Sequence, residues 1–426
     1  MGEGVLTAGF PRVGGSLRCE GVPLGDIADA AGTPSYVYSA ATIRNRFELL
    51  AEALSPVAHR IHYTLKANSN RAILGLLREM GAGAEVVSGG ELFRAQRAGF
   101  AGSDIIFGGV GKTEQELSEA LDAGVLFVNV ESDLELTLID RLAAERSLRA
   151  AVSIRVNPEI TVDAGHEYIR TGEKGQKFGV PFDEALRVAE RAAGLRHVRL
   201  VGLDMHLGSQ LARIDPYRLG TERLGGIAAE LRQRGIDSLR YLDIGGGLGV
   251  RYDAEQPPDL HRFARSVLPL VESTGLELIM EPGRFIVGNA GVLVTRVLYR
   301  KHSGGKEYVI TDAGMTELLR PSHYGAFHRI ESVEGGRARI KVDVVGPVCE
   351  SGDFLALDRD LADVRPGDLL AVFDVGAYGF VMASNYNSRR RGAEVLVDGD
   401  RFAIVTERER YETLVQQEVD DPEWRS

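Results

Sequence analysis

Apolar residues follow two different rhythms along this chain. Up to about Arg284, short runs rich in β-branched residues recur, and each is followed by a stretch with apolar positions at i, i+3 and i+4. The runs predict eight strands, at 62–67, 85–88, 105–108, 127–130, 151–157, 200–207, 241–244 and 276–280. Three of the helical stretches between them carry Ile73, Leu74, Leu76, Leu77 and Met80; Leu117, Ala120 and Leu121; and Leu134, Leu138, Ile139 and Leu142. The second of these stretches starts behind Thr113 and Glu116, at capping-box spacing. Strand then helix, repeated, requires parallel strands joined by crossovers. Eight such units predict an α/β closed barrel, a (β/α)8 barrel of the TIM type. The alternative is an open doubly wound sheet, which has fewer units and a glycine-rich turn after its first strand. Here the first strand runs into Lys66-Ala67-Asn68, with no glycine before Gly75.

Beyond Arg284 the helical period fades and alternating strands are predicted at 291–299, 307–312, 337–345, 368–373 and 393–397. Pro366-Gly367 and Asp398-Gly399 punctuate them as turns. This part reads as a C-terminal all-β domain, a β-sandwich or β-barrel. Residues 1–35 are too few to fold alone and are expected to pack on it. The expected organisation is an N-terminal segment at 1–35, a barrel at 36–285 and a β domain at 286–426.

Composition narrows the function classes. The formal charge of −11, with no basic block to offset it, argues against nucleic acid as a partner. No apolar run approaches the ~18 residues that a membrane span needs. The first ten residues lack a basic region followed by an apolar stretch, so no secretory leader is expected. Met1-Gly2 would suit myristoylation, but Leu6 stands where a Ser or Thr belongs. Two cysteines, Cys19 and Cys349, allow one long-range disulfide but suit a reducing cytoplasm better.

In such a barrel the chemistry gathers at the C-terminal ends of the strands. Lys66 follows the first strand; a desolvated lysine there could condense with a carbonyl, and a surface lysine snorkelling at a strand end is the plainer reading. Gly245, Gly246 and Gly247 follow strand seven and are either a tight turn or a cradle of backbone N–H groups for a phosphate, aided by the positive end of a following helix. Glu281 follows strand eight. It could hold a ring nitrogen protonated or simply pair with Arg284, with Gly283 between them. His206 follows strand six and suits either a core hydrogen bond or a ring stacked on a planar cofactor. Paired His/Cys metal spacings are absent from the sequence, and no metal is expected. In the β domain, Cys349 lies beside Glu350 and Asp353, which suits a proton donor better than a thiolate nucleophile; a buried structural cysteine is the plainer alternative. Arg320, Tyr324 and Tyr378 look like exposed loop residues suited to carboxylate or phosphate contacts.

Six motifs carry a resemblance: YTLKANSN (63–70), HLGSQ (206–210), DIGGGLG (243–249), EPGRFIV (281–287), GPVCESGD (346–353) and MASNYN (382–387). In this order and spacing they resemble diaminopimelate decarboxylases, a family of fold-type III pyridoxal-phosphate enzymes, over about residues 32–405. The resemblance implies pyridoxal 5′-phosphate as cofactor, carried covalently by Lys66. It also implies His206 stacked on the ring, Ser209, Gly245–Gly247 and Tyr378 on the phosphate, Glu281 on the ring nitrogen, and Gly283 and Arg284 beside the cofactor. Arg284, Arg320, Tyr324, Glu350 and Tyr378 would contact a small amino-acid substrate, and Cys349 would deliver the proton that replaces carbon dioxide. A homodimer with sites shared across its interface is implied as well, and so is loss of carbon dioxide from meso-diaminopimelate to give L-lysine, the last step of lysine biosynthesis. Glu85 stands where that family usually has aspartate.

Competing functions are weighed by the same residues. Arg320 and Tyr324 argue against ornithine or arginine as substrate, whereas an amino acid tethered to a carrier protein stays open. Alanine racemase usually places arginine where Glu281 stands. A cofactor-free Schiff-base aldolase leaves Gly245–Gly247 and Glu281 unexplained. The glycine-rich segment 165–177 is expected to close over the site.

Overall fold

The computed structural model describes residues 9–162 and 171–425. The chain divides into two compact units, one running from Ile43 to Gly288 and the other taking in residues through Thr42 and from Asn289 onward.

The first unit is a closed barrel. Its strands are His59–Thr64, Gly83–Val86, Ile105–Phe107, Phe127–Val130, Ala150–Asn157, Val198–Asp204, Tyr241–Asp243 and Glu277–Met280. Each pairs in parallel with the next, and the eighth returns to the first through Leu278–His59 and Met280–Ile61. Closure leaves these strands no free edge, and it puts all eight C-terminal ends at one mouth. The predicted strand ends run past the observed ones. Leu65, Ala67 and Leu207 are as buried as the strands they follow but lie beyond the pairing.

The crossover helices are set by their caps as much as by their apolar faces. Glu114–Ala123 begins with a complete capping box between Thr113 and Glu116 and ends at Gly124, whose φ of 63° suits a residue without Cβ. Asn70, Ser88, Ser132 and Asp259 cap four others through their side chains. Ile73, Leu74 and Leu77 face inward as predicted. In Asp133–Glu145 the inward set is Leu136, Ile139, Leu142 and Ala143; Leu134 is 83% exposed. It lies two residues before the inward row, off the face that row defines.

The second unit is a branched sheet in the order Phe354–Ala362, Arg339–Val345, Lys306–Thr311, Gly291–Ser303, Ser35–Ser39, Ala393–Asp398 and Arg401–Thr406. Leu369–Phe373 branches from Gly291–Ser303 and carries Ile330–Ser332. The strand Ser35–Ser39 is fully buried, antiparallel to Gly291–Ser303 and parallel to Ala393–Asp398. The sequence boundary at residue 36 therefore falls inside a strand of this sheet. Phe10, Leu17, Cys19, Leu24 and Ile27 pack with Val37, Val292, Val294, Phe373, Val395 and Val397 in one core, so the N-terminal segment belongs to the β-rich unit. Both cysteines are free thiols, Cys19 buried in this core and Cys349 exposed. Among the described residues no helix is long and apolar enough to cross a membrane.

Candidate active site

The barrel mouth brings Lys66, Glu85, His206, Ser209, Gly245–Gly247, Glu281, Gly283 and Arg284 to one end of the sheet. Lys66 is part-exposed, and its Nζ lies 2.9 Å from Oε2 of Glu85, which is only 3% exposed. The Thr64 hydroxyl donates to the same oxygen. Glu85 thus supplies the carboxylate that the resemblance expects from a shorter side chain. On the helix that follows, Glu91 is pushed up to about 7 by burial and by the nearby Glu85 charge.

His206 accepts the Gly246 N–H at Nδ1 (3.3 Å), which fixes the proton of the neutral ring on Nε2. Its pKa is held well below the ordinary imidazole value, by burial first and then by the positive charges of Lys66 and Arg155. At neutral pH it is therefore a flat, uncharged ring rather than an acid.

The three glycines stand where only glycine fits. Gly245 and Gly247 have φ of 69° and 93°. A Cβ on Gly246 would overlap the Glu281 carbonyl oxygen, and one on Gly247 the Gly208 carbonyl oxygen. The helix expected directly after this loop is not there: the next one begins at Leu260. The glycine loop itself therefore offers an anion backbone N–H groups with no helix of its own behind them. We expect Gly246→Ala to cost about 1–3 kcal/mol of stability and to weaken cofactor binding. Thermal unfolding with and without pyridoxal phosphate measures both. Unchanged midpoints would mean that the loop yields.

Behind the loop lie three buried carboxylates, Asp204, Asp243 and Glu281, with oxygens within 4.8 Å of one another. Asp243 Oδ1 accepts the Gly245 N–H at 2.8 Å. Arg155 lies 3.8 Å from Asp204 and 2.6 Å from Glu131. Burial, then mutual repulsion, raises the pKa of Asp204 and Glu281 well above the carboxylate range, and burial raises that of Asp243. Carboxylates this close, with little water, keep a proton among them. Sequence reasoning missed Arg155, Glu131, Asp204 and Asp243 as site residues; the signal was there, since all four stand at or next to strand ends that share the mouth.

Arg284 is buried. It donates from Nε and Nη2 to Ser209 Oγ (3.3 and 3.1 Å) and from Nη1 to Tyr252 Oη (2.7 Å), tying strand six to strand eight. A Cβ on Gly283 would overlap Thr64, so glycine lets strand eight approach strand one.

The remaining candidates lie on the β-rich unit. Arg320, expected in an exposed loop, instead lies buried at the start of the short helix Arg320–Tyr324, where it donates to His328 Nε2 at 2.8 Å, while His328 Nδ1 donates to the Phe373 carbonyl at 2.8 Å. Tyr324 is half-buried against the exposed His323, with ring centroids 4.5 Å apart. Tyr378 has φ of 57°, an uncommon conformation for a tyrosine. Cys349 and Glu350 are both exposed, so Cys349 is not the buried structural cysteine that was its plainer reading. Of the expected lid at 165–177, residues 165–170 lie outside the described residues.

The mouth fits pyridoxal phosphate on its own terms. Glu281 Oε1 is buried with no hydrogen-bond partner among the described residues, as an acceptor awaiting a ring N–H would be. The glycine loop offers backbone approach, and Lys66 is part-exposed beside it. A barrel with this mouth is that of a pyridoxal-dependent decarboxylase, and residues 40–288 match the family described as "Pyridoxal-dependent decarboxylase, pyridoxal binding domain". Over 399 residues the chain is 48% identical to a diaminopimelate decarboxylase of Pseudomonas aeruginosa, covering 93% of this chain and 95% of that one. It superposes on diaminopimelate decarboxylase of Helicobacter pylori complexed with L-lysine with a TM-score of 0.90 at 41% identity, covering 93% and 99% of the two chains. The enzyme of M. jannaschii in co-complex with L-lysine gives 0.92 at 34% identity, covering 98% and 99%. The chain belongs to the diaminopimelate decarboxylase family.

Proposed function

We infer that this chain decarboxylates diaminopimelate to lysine with pyridoxal phosphate as cofactor. The observation that carries the reading is the barrel mouth, where Lys66 on Glu85, the glycine loop and the unpartnered buried Glu281 oxygen gather in a chain nearly half identical to a diaminopimelate decarboxylase. Relatives complexed with L-lysine support an amino-acid ligand of this size.

When bound, the cofactor supplies a carbonyl that condenses with amines and a ring that takes up the electron pair left by departing carbon dioxide. Lys66 would hold it. Gly245–Gly247 and Ser209, with Tyr378, would bind its phosphate. Glu281 would keep the proton at the ring nitrogen, as the carboxylate that accepts the ring N–H. Neutral His206 would stack on the ring without competing for that proton. Arg284, Arg320, Tyr324 and Glu350 would contact the distal amino-acid end of the substrate. Polar contacts of this kind reject an analogue lacking the distal group by orders of magnitude. Cys349 would place a proton on the α-carbon.

We further read the enzyme as a homodimer in which the loop carrying Cys349 and Glu350 completes the partner's site. The exposure of both residues in the single chain supports this. We place it in the cytoplasm, which two free thiols suit.

The test is lysine formation from meso-diaminopimelate with and without added pyridoxal phosphate. Cofactor-dependent lysine is expected. A protein that shows the bound-cofactor absorbance but makes no lysine would move the substrate to a carrier-tethered amino acid.

A further inference from the structure

We propose that Asn387 is a positioning residue that holds Cys349 at the orientation proton delivery needs. The proposal rests on the reading of Cys349 as the proton donor and assigns a role to MASNYN, the one motif that reading leaves unused.

The loop Gly346–Asp353 is held at two points. At its stem, the Asp353 carboxylate accepts the Val348 N–H through Oδ2 and the Met315 N–H through Oδ1, both at 2.6 Å. Gly314 and Gly346 flank that carboxylate so closely that a Cβ on either would run into it. Asp353 is buried, so this stem is rigid. At the tip, the contact comes from a different part of the chain. Asn387 Oδ1 accepts the Cys349 N–H at 3.0 Å, and Tyr386 Oη donates to Glu350 Oε2 at 3.3 Å. Asn387 stands at φ 56°, a conformation that asparagine tolerates better than most side chains.

The geometry separates two jobs. Asp353 fixes where the loop leaves the sheet, whereas a bond to the backbone N–H of Cys349 fixes the peptide plane from which the thiol projects. A small misplacement of a proton donor is enough to cost one or two orders of magnitude in rate. Asn387 touches neither cofactor nor substrate in this account and acts through Cys349 alone.

Asn387→Gly separates the bond from the backbone conformation, because glycine accepts φ 56° while the whole side chain, and with it the acceptor of the Cys349 N–H, is gone. In the holoenzyme we expect kcat to fall about tenfold with KM within about twofold. The solvent deuterium isotope effect on kcat should rise, as proton delivery becomes slower than the steps around it. Cofactor absorbance and melting temperature should stay at wild-type values. The alkylation rate of Cys349 by iodoacetamide should change; Cys19 is buried, so the reaction reports Cys349. Asn387→Asp keeps both the acceptor and the tolerance for positive φ, and it should restore kcat and the isotope effect. A wild-type kcat and isotope effect in Asn387→Gly would overturn the proposal, as would an Asn387→Asp enzyme as slow as Asn387→Gly. Cys349→Ala run alongside tells the two failures apart. If it loses turnover while Asn387→Gly does not, only the positioning role falls. If it stays fully active, the donor reading falls and takes this proposal with it.

Discussion

Lys66→Ala is expected to give a folded barrel that no longer shows the visible absorbance of bound pyridoxal phosphate and turns over on the order of 10⁴-fold more slowly, or worse. Lys66 is the only amine among the mouth residues described above, and it lies 2.9 Å from a buried carboxylate. Removing it would take away the group proposed to hold the cofactor and the amine that lies on Glu85. The Thr64 hydroxyl still bonds to Glu85, so the fold should survive the charge loss. Lys66→Arg separates the two effects. It keeps a cation near Glu85 but cannot condense with a carbonyl, so it should lose absorbance and turnover as fully as Lys66→Ala while melting closer to wild type. Ultraviolet–visible spectra and lysine assays on both variants decide the matter. Retained absorbance in either would put the cofactor's anchor elsewhere.

Cys349→Ala should do the reverse: keep the cofactor absorbance and lose about 10²–10⁴ in turnover, the usual worth of a positioned proton donor. Mixing the two defective proteins then tests the shared site. If the Cys349 loop serves the partner's barrel, a heterodimer of Lys66→Ala and Cys349→Ala chains puts both defects in one site and leaves the other intact. Random reassociation should restore about a quarter of the wild-type rate. If each chain completes its own site, every site in the mixture is defective and no activity returns.

The barrel was legible because its strands and helices alternate with clear periods, and the mouth was legible because its residues sit in short motifs at strand ends. What escaped mostly lacked a signal within any short window of sequence. Ser35–Ser39 is buried on both faces and shows no alternation, so only its pairing between Gly291–Ser303 and Ala393–Asp398 reveals it. Phe354–Ala362 and Arg401–Thr406 lie at the two ends of the sheet order and are studded with charged or exposed positions, which blurs the period of two. The Arg155–Glu131–Asp204 cluster joins side chains from three strands that the sheet brings together, an adjacency no window along the chain contains. The helix expected behind the glycine loop failed for another reason. A glycine run signals close backbone approach, and here the backbone approached is that of the neighbouring strands rather than a helix of its own.

The pairing of Ser35–Ser39 also orders events during synthesis. The strand is made early, yet both of its neighbours in the sheet are translated after the whole barrel. At roughly 5–20 residues per second, the intervening stretch keeps it waiting on the order of ten seconds or more. The barrel is one continuous stretch and can close as it leaves the ribosome. Ser35–Ser39, meanwhile, is a strand without its mates until the chain's last third arrives.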